Sequence, residues 1–183
     1  MSGVRVFLEK VLHLQINAAK SAVARPSERK FLGFSFTAHR NSRVRIALES
    51  RRRLNQRVRD LQRHGRGRSL PHLIAELNPL LRGWIGYFQI AETPNVLKEL
   101  DSWVRRRLRC VLWRQWKRPR TRAHKLRSLG LDAARARMSA GNHRGPWWNA
   151  GSSHMGYALP AAYFHKSGLF SLLLTQQRLQ RAR

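Results

Sequence analysis

The spacing of apolar positions divides the chain into two regimes. In VRVFLEKVLHL (4–14) they recur at helical spacing, while SAVAR (21–25), KFLGFSFT (30–37) and VRIAL (44–48) read as short strands. Pro26 and the turn-like HRNSR (39–43) separate those strands. One helix and three short strands bury too little surface to stand alone, so residues 1–48 read as the tail of an α+β unit. From Ser50 onward the period is helical. Ser50 is placed to cap RRRLNQRVRDLQRH, which stops at Gly65. A Gly/Arg-rich linker, GRGRS (65–69), leads to a short helix over 70–77. Asn78-Pro79 then restarts the chain, with Asn as cap and Pro in the first turn, and Thr93-Pro94 repeats the device before a long helix over 94–117. The basic link RPRTR (118–122) precedes two helical stretches, 123–129 and 132–139. Beyond Gly141 the chain is richer in Gly and aromatics, and it closes on an apolar stretch (161–174) and a basic end. The expected fold is mainly α with a small α+β start.

NPLLRGWIGYF (78–88) places Trp84, Tyr87 and Phe88 within five positions, and such rings can stack on bases or fill a core. Leu77, Leu81, Trp84, Ile85 and Phe88 share one helical stripe, which favours the core for Trp84 and Phe88; Tyr87 lies off the stripe and fits either role. Gly83 and Gly86 then read as points where a neighbouring backbone comes close.

Charge agrees with that division. The chain holds 37 Lys and Arg against 9 acidic residues, a formal net charge of +28. Residues 70–101 carry two cations and four acids, net −2, so the positive charge lies almost wholly outside the aromatic window. Such an excess points to a polyanionic partner. Arginine outnumbers lysine 30 to 7, which suits phosphate forks and base stacking, although a GC-rich coding sequence would also favour Arg. Along the long helix, Leu97, Leu100, Val104, Leu108 and Val111 form an apolar seam. The opposite face carries Ser102, Arg106, Arg109, Trp113 and Lys117 and reads as a cationic surface with a Trp set in it. The competing reading packs Trp113 beneath another element.

Chemistry of other kinds finds little support. Asp60, Asp101 and Asp132 are far apart in sequence, and no phosphate-binding loop, His-Glu-x-x-His motif or Cys-His cluster occurs. The single cysteine, Cys110, excludes a disulfide framework and fits a reducing compartment. No apolar run approaches the roughly 20 residues that span a bilayer, and the start lacks the pattern of a signal peptide. A cytoplasmic protein without cofactor, metal or membrane partner is expected.

Three ordered blocks carry a family resemblance. INAAKSAVARPSERKFLGFSF (16–36) resembles the last blocks of the palm of bacterial group II intron reverse transcriptases. LIAELNPLLRGWIGYFQIAETPNVLKELDSWVRRRLRCVLWRQWKRPRTR (73–122) is similar to their maturase-specific, or thumb, domain. RGPWWNAGSSHMGYALPAAYF and GLFSLL resemble the C-terminal segment of many bacterial members. The resemblance implies three parts: a palm remnant (1–48), a maturase-specific helical domain (49–125) and a C-terminal basic, aromatic segment (126–183). The family's Tyr-x-Asp-Asp polymerase motif belongs upstream of the first block and is absent from this sequence. Polymerase activity is therefore not carried over, and no catalytic residue is assigned.

The resemblance implies a fragment that binds group II intron RNA and assists its folding and splicing. Target DNA, and a separately encoded polymerase portion, are further candidate partners. The residues expected to meet RNA are Arg51, Arg52, Arg53 and Arg57, then Arg106, Arg109, Trp113 and Lys117, then Arg118, Arg120 and Arg122. A truncated remnant without function, and a general basic nucleic-acid-binding module, are the alternatives.

Overall fold

The computed structural model describes residues 2–15, 17, 24–38, 41–64 and 67–181. Residues 21–23 of the expected strand over 21–25, the start of the 39–43 turn and the start of the 65–69 linker lie outside the described residues; Ala24 and Arg25 are not in a strand.

Helix α1 (Ser2–Lys10) is shorter than the 4–14 pattern predicts. The chain leaves it at Val11, and His13 takes a left-handed conformation (φ 52°). A 3-10 turn (Pro26–Glu28) follows, then strands β1 (Phe34–Phe36) and β2 (Val44–Ile46). The strands pair antiparallel with Phe34 opposite Ile46 and Phe36 opposite Val44.

The expected strand 30–37 is broken at its centre. Leu32 (φ 49°) and Gly33 (φ 82°) form a tight turn closed by reciprocal backbone bonds between Phe31 and Phe34. Two successive left-handed residues suit Gly but strain Leu, so the turn needs outside support. The Tyr87 hydroxyl donates to the Leu32 carbonyl (2.9 Å), and the Ser50 hydroxyl donates to the Gly33 carbonyl (3.0 Å).

Helix α2 runs Leu48–His64, so Ser50 lies in its first turn and is not the N-cap. Helix α3 runs unbroken from Leu70 to Phe88 with Pro79 inside it, which corrects the expected restart at Asn78. Proline removes one helical bond, yet Leu73, Ile74, Leu77, Leu81 and Ile85 form one buried stripe that both halves must present together. Asn78 serves a distant partner: its amide donates to the Gly168 carbonyl (2.8 Å) and accepts from the Phe170 N–H (2.9 Å).

Helix α4 (Pro94–Gln115) starts with Pro94 in its first turn as expected, but Thr93 makes no side-chain cap. The seam of Leu97, Leu100, Val104 and Leu108 is buried as predicted. The RPRTR segment is no link: Pro119 opens helix α5 (Pro119–Ser128). Gly130 (φ 92°) turns the chain into α6 (Ala133–Ala140), whose first amides Asp132 caps. The segment beyond Gly141 folds into four further helices: α7 (Pro146–Ala150), α8 (Ser153–Ala158), α9 (Ala161–Lys166) and α10 (Leu172–Arg181). One apolar core runs from Phe34 through α2, α3 and α4 to Leu172.

Asp101 of α4 shows how the ends of the chain meet. Its carboxylate accepts the first two amides of α10, from Leu172 (3.0 Å) and Leu173 (3.2 Å), and the Ser171 hydroxyl (2.7 Å). The next amide, from Leu174, goes to the Ser171 hydroxyl (3.3 Å). The cap of α10 is thus completed by an acid about 70 residues upstream, where its own first turn carries none.

Candidate nucleic-acid interface

Leu54 and Val58 turn α2 toward the core, which drives its arginines to two flanks. Arg53 and Arg57 line a groove of about 650 Å³ between α2 and α3, together with Leu80, Trp84 and Tyr87. Arg52 is exposed on the other flank, and Arg51 is half-buried. No ion pair to Arg52, Arg53 or Arg57 forms among the described residues. Phe88 belongs to the core, Trp84 packs against it, and Tyr87 is exposed. No neighbour approaches Gly83 or Gly86, so the expected close backbone contact is absent at both positions.

The far face of α4 is a correction. Its middle is covered by α7, α8 and α9: Trp113 is buried and Arg106 and Arg109 are half-buried, while Ser102 and Lys117 at its ends stay exposed. Trp113 is fully buried, 5.5 Å from the His154 ring and 6.4 Å from Trp116. Arg106 donates to the Trp147 carbonyl (3.1 Å) and lies 4.2 Å from the centre of the Trp147 ring. A Cβ at Gly151 would sit 2.6 Å from that guanidinium, so glycine is what lets the arginine lie flat there. Arg109 donates twice to the Leu159 carbonyl at the end of α8 (2.9 and 2.7 Å). Burial, and then the charge of Arg105, pull the Arg109 guanidinium below its ordinary value. An amphipathic wheel treats arginine as solvent-facing, whereas a guanidinium with a carbonyl partner and a long apolar stem can be covered.

At the start of α5, Lys117, Arg118 and Arg120 are exposed. They sit where the helix already presents its positive end and no acid offsets them, an arrangement that attracts anions. Arg122 turns inward: it donates to the Trp116 carbonyl (2.9 Å) and lies 4.7 Å from the Trp113 ring. Exposed cations that the sequence reading passed over include Arg127 and Arg137, which flank a cavity of about 430 Å³ between α5 and α6, and Arg144, stacked 4.5 Å from Trp148. Only the Trp147-Trp148 doublet signalled the last of these in sequence. Among the described residues no group of three His, Cys, Asp or Glu side chains is arranged to hold a metal ion. No helix among them is long and apolar enough to cross a membrane.

Residues 51–130 match the group II intron, maturase-specific domain. Over those residues the chain is similar to a maturase-specific domain. No curated protein matches the chain. The matched segment spans α2 to α5, so the exposed arginines of α2 and the basic start of α5 both lie within the matched residues. The match names the maturase part of such proteins and not their polymerase catalytic region. The helices that cover Trp113 lie outside the matched segment.

His154 makes that cover sensitive to pH. The ring is 6% exposed, and its Nε2 is buried without a hydrogen-bond partner. Burial, then the charge of Arg135, hold its imidazole below the ordinary value of 6.5. The folded chain therefore favours the neutral ring, while the unfolded chain takes a proton more readily. The resulting stability is present above the unfolded value and drains away as pH falls through it toward the folded one. Urea unfolding at about pH 7 and about pH 5.5 should show a drop in midpoint for the parent chain and a smaller one for His154→Phe. Equal drops would place the sensitivity elsewhere.

Proposed function

We propose that the chain binds group II intron RNA and assists its folding and splicing by stabilising RNA structure, with the chemistry supplied by the RNA. The observation that supports this most is the exposed arginines on both flanks of α2, without an ion pair among the described residues, inside the segment that matches the maturase-specific domain. Arg52, Arg53 and Arg57, joined by Lys117, Arg118 and Arg120, are the proposed phosphate contacts. Tyr87, in the groove lined by Arg53 and Arg57, has an exposed ring available to an unpaired base. Arg106, Arg109, Trp113 and Arg122 are engaged within the protein, and we assign them to holding the fold.

The test is binding to a folded group II intron RNA, a scrambled RNA and duplex DNA of equal length, across a salt series. The triple variant Arg52→Glu, Arg53→Glu, Arg57→Glu should lose roughly a hundredfold in intron affinity. The slope of log K against log salt should flatten by about 2, as expected for three lost single-strand phosphate contacts. Unchanged intron affinity would refute the assignment. Equal affinity for all three nucleic acids would favour a general basic module instead.

One observation favours a further partner. Val4, Val6, Phe7, Val11, Phe31 and Leu32 are exposed, as residues 1–48 would be if a separately encoded polymerase portion normally covers them.

A further inference from the structure

The other flank of α2 faces α4 across a cavity of about 230 Å³. Four guanidinium groups line it: Arg59 and Arg63 from α2, Arg107 and Arg114 from α4. Gln62, Cys110 and Val111 complete the wall, and no carboxylate is among the lining residues. Burial pushes the Cys110 thiol up, despite the pull of Arg114, Arg107 and Arg106. Burial also depresses the Arg107 guanidinium; Cys110 opposes that, and Arg114, Arg59 and Arg63 add to it.

Gln62 points to what is missing. It is 4% exposed, and its Oε1 accepts from Arg107 Nε (2.8 Å). Arginine has no acceptor, so the amide cannot be flipped. Its Nε2 therefore stays buried in the cavity wall with no partner. Four cations with no acid in the lining repel one another, and a single oxyanion would relieve that. A small turn of the Gln62 side chain toward it would also give the buried Nε2 a partner. Stacking fixes part of the frame: Arg59 and Arg107 lie 5.5 and 5.8 Å from the Trp103 ring centre. Planar guanidinium forks held this way suit the tetrahedral oxygens of phosphate.

We propose that this cavity binds one phosphate group, with Gln62 and Arg107 as its floor and Arg59, Arg63 and Arg114 as its rim. The phosphate comes either from a nucleic-acid chain or from a free or terminal phosphate. The site stands independently of the intron reading, since inorganic phosphate alone fits the same donors.

The first experiment is thermal unfolding of the full chain in sodium phosphate against sodium chloride at matched ionic strength. A saturable rise in Tm is expected, about 4 °C at ten times the Kd. The rim variant Arg59→Ala, Arg63→Ala, Arg114→Ala changes only exposed side chains, so it should fold and lose the phosphate-specific rise. Gln62→Leu should reduce it. Removing three exposed arginines that do not line the cavity, Arg29, Arg178 and Arg181, should leave it intact. A non-saturable rise, or an equal rise in the rim variant, overturns the proposal. A second arm compares short oligoribonucleotides with 5′-phosphate and 5′-hydroxyl ends. A 5′-phosphate preference that the rim variant loses assigns a terminal phosphate. Equal binding, weakened in the rim variant and displaced by inorganic phosphate, assigns an internal phosphodiester. Binding of both that the rim variant leaves unchanged overturns the proposal.

Discussion

Trp113→Ala is expected to cost about 3–5 kcal/mol of stability, the range for emptying a large buried aromatic site. The indole is fully buried among His154, Trp116 and Arg122, at the layer where α8 lies on α4. Losing it leaves a cavity between two groups of helices that rely on each other for cover. If Trp113 instead stacked on an RNA base, its removal would cost about 1–3 kcal/mol of binding and little stability. Urea unfolding and intron binding, measured on the same variant at a temperature where it is folded, separate the two. The structure calls for a large fall in midpoint with affinity of the folded chain held within about twofold. Trp113→Phe sharpens the comparison. It keeps most of the volume and removes an indole N–H that is buried without a partner, so it should lose much less stability than alanine. A stable Trp113→Ala chain that no longer binds RNA would contradict this account.

Asp101→Ala should cost about 2–4 kcal/mol, because three donors lose a charged acceptor in a buried place. The effect should be local first. Amide exchange should accelerate at Leu172 and Leu173, whose N–H groups Asp101 accepts, and then along α10. Gln176, which reaches back to the Ala91 carbonyl, should be released with them. Asp101→Asn keeps the shape but loses the charge that faces the positive end of α10, so it should fall between the parent and alanine. Uniform acceleration across α2, α3 and α4, with none specific to α10, would show that the carboxylate does not act as a cap.

The seam of α4 was legible in sequence because five apolar positions at helical spacing admit one buried face, and Leu97, Leu100, Val104 and Leu108 occupy it. Strands β1 and β2 were legible from their β-branched and aromatic runs. Asn78-Pro79 was misread because a local capping signal lost to a loop 90 residues away, which the Asn78 amide holds by both its donor and its acceptor. Sequence-local patterns carry no information about such a partner. The covered face of α4 was missed for a related reason. Its half-buried cations Arg106 and Arg109 donate to main-chain carbonyls of α7 and at the end of α8, and backbone acceptors leave no signature in residue identity. For the proposed interface, the exposed arginines of α2 and the start of α5 were visible as charge runs. Which of them point outward required the coordinates.

The cover over α4 also has a consequence in time. Asp101 and Arg109 find their partners in residues 159–173, Trp113 is covered by His154 as well as by Trp116 and Arg122, and Ala91 finds its partner at Gln176. While the chain is being synthesised, the maturase-specific segment emerges with a tryptophan and two buried-to-be arginines facing water and its apolar core half built. The ribosome adds the covering helices seconds later, at roughly 5–20 residues per second. Through that interval the nascent segment is a sticky, cationic surface beside ribosomal RNA, and its core closes only after α7 to α10 have emerged.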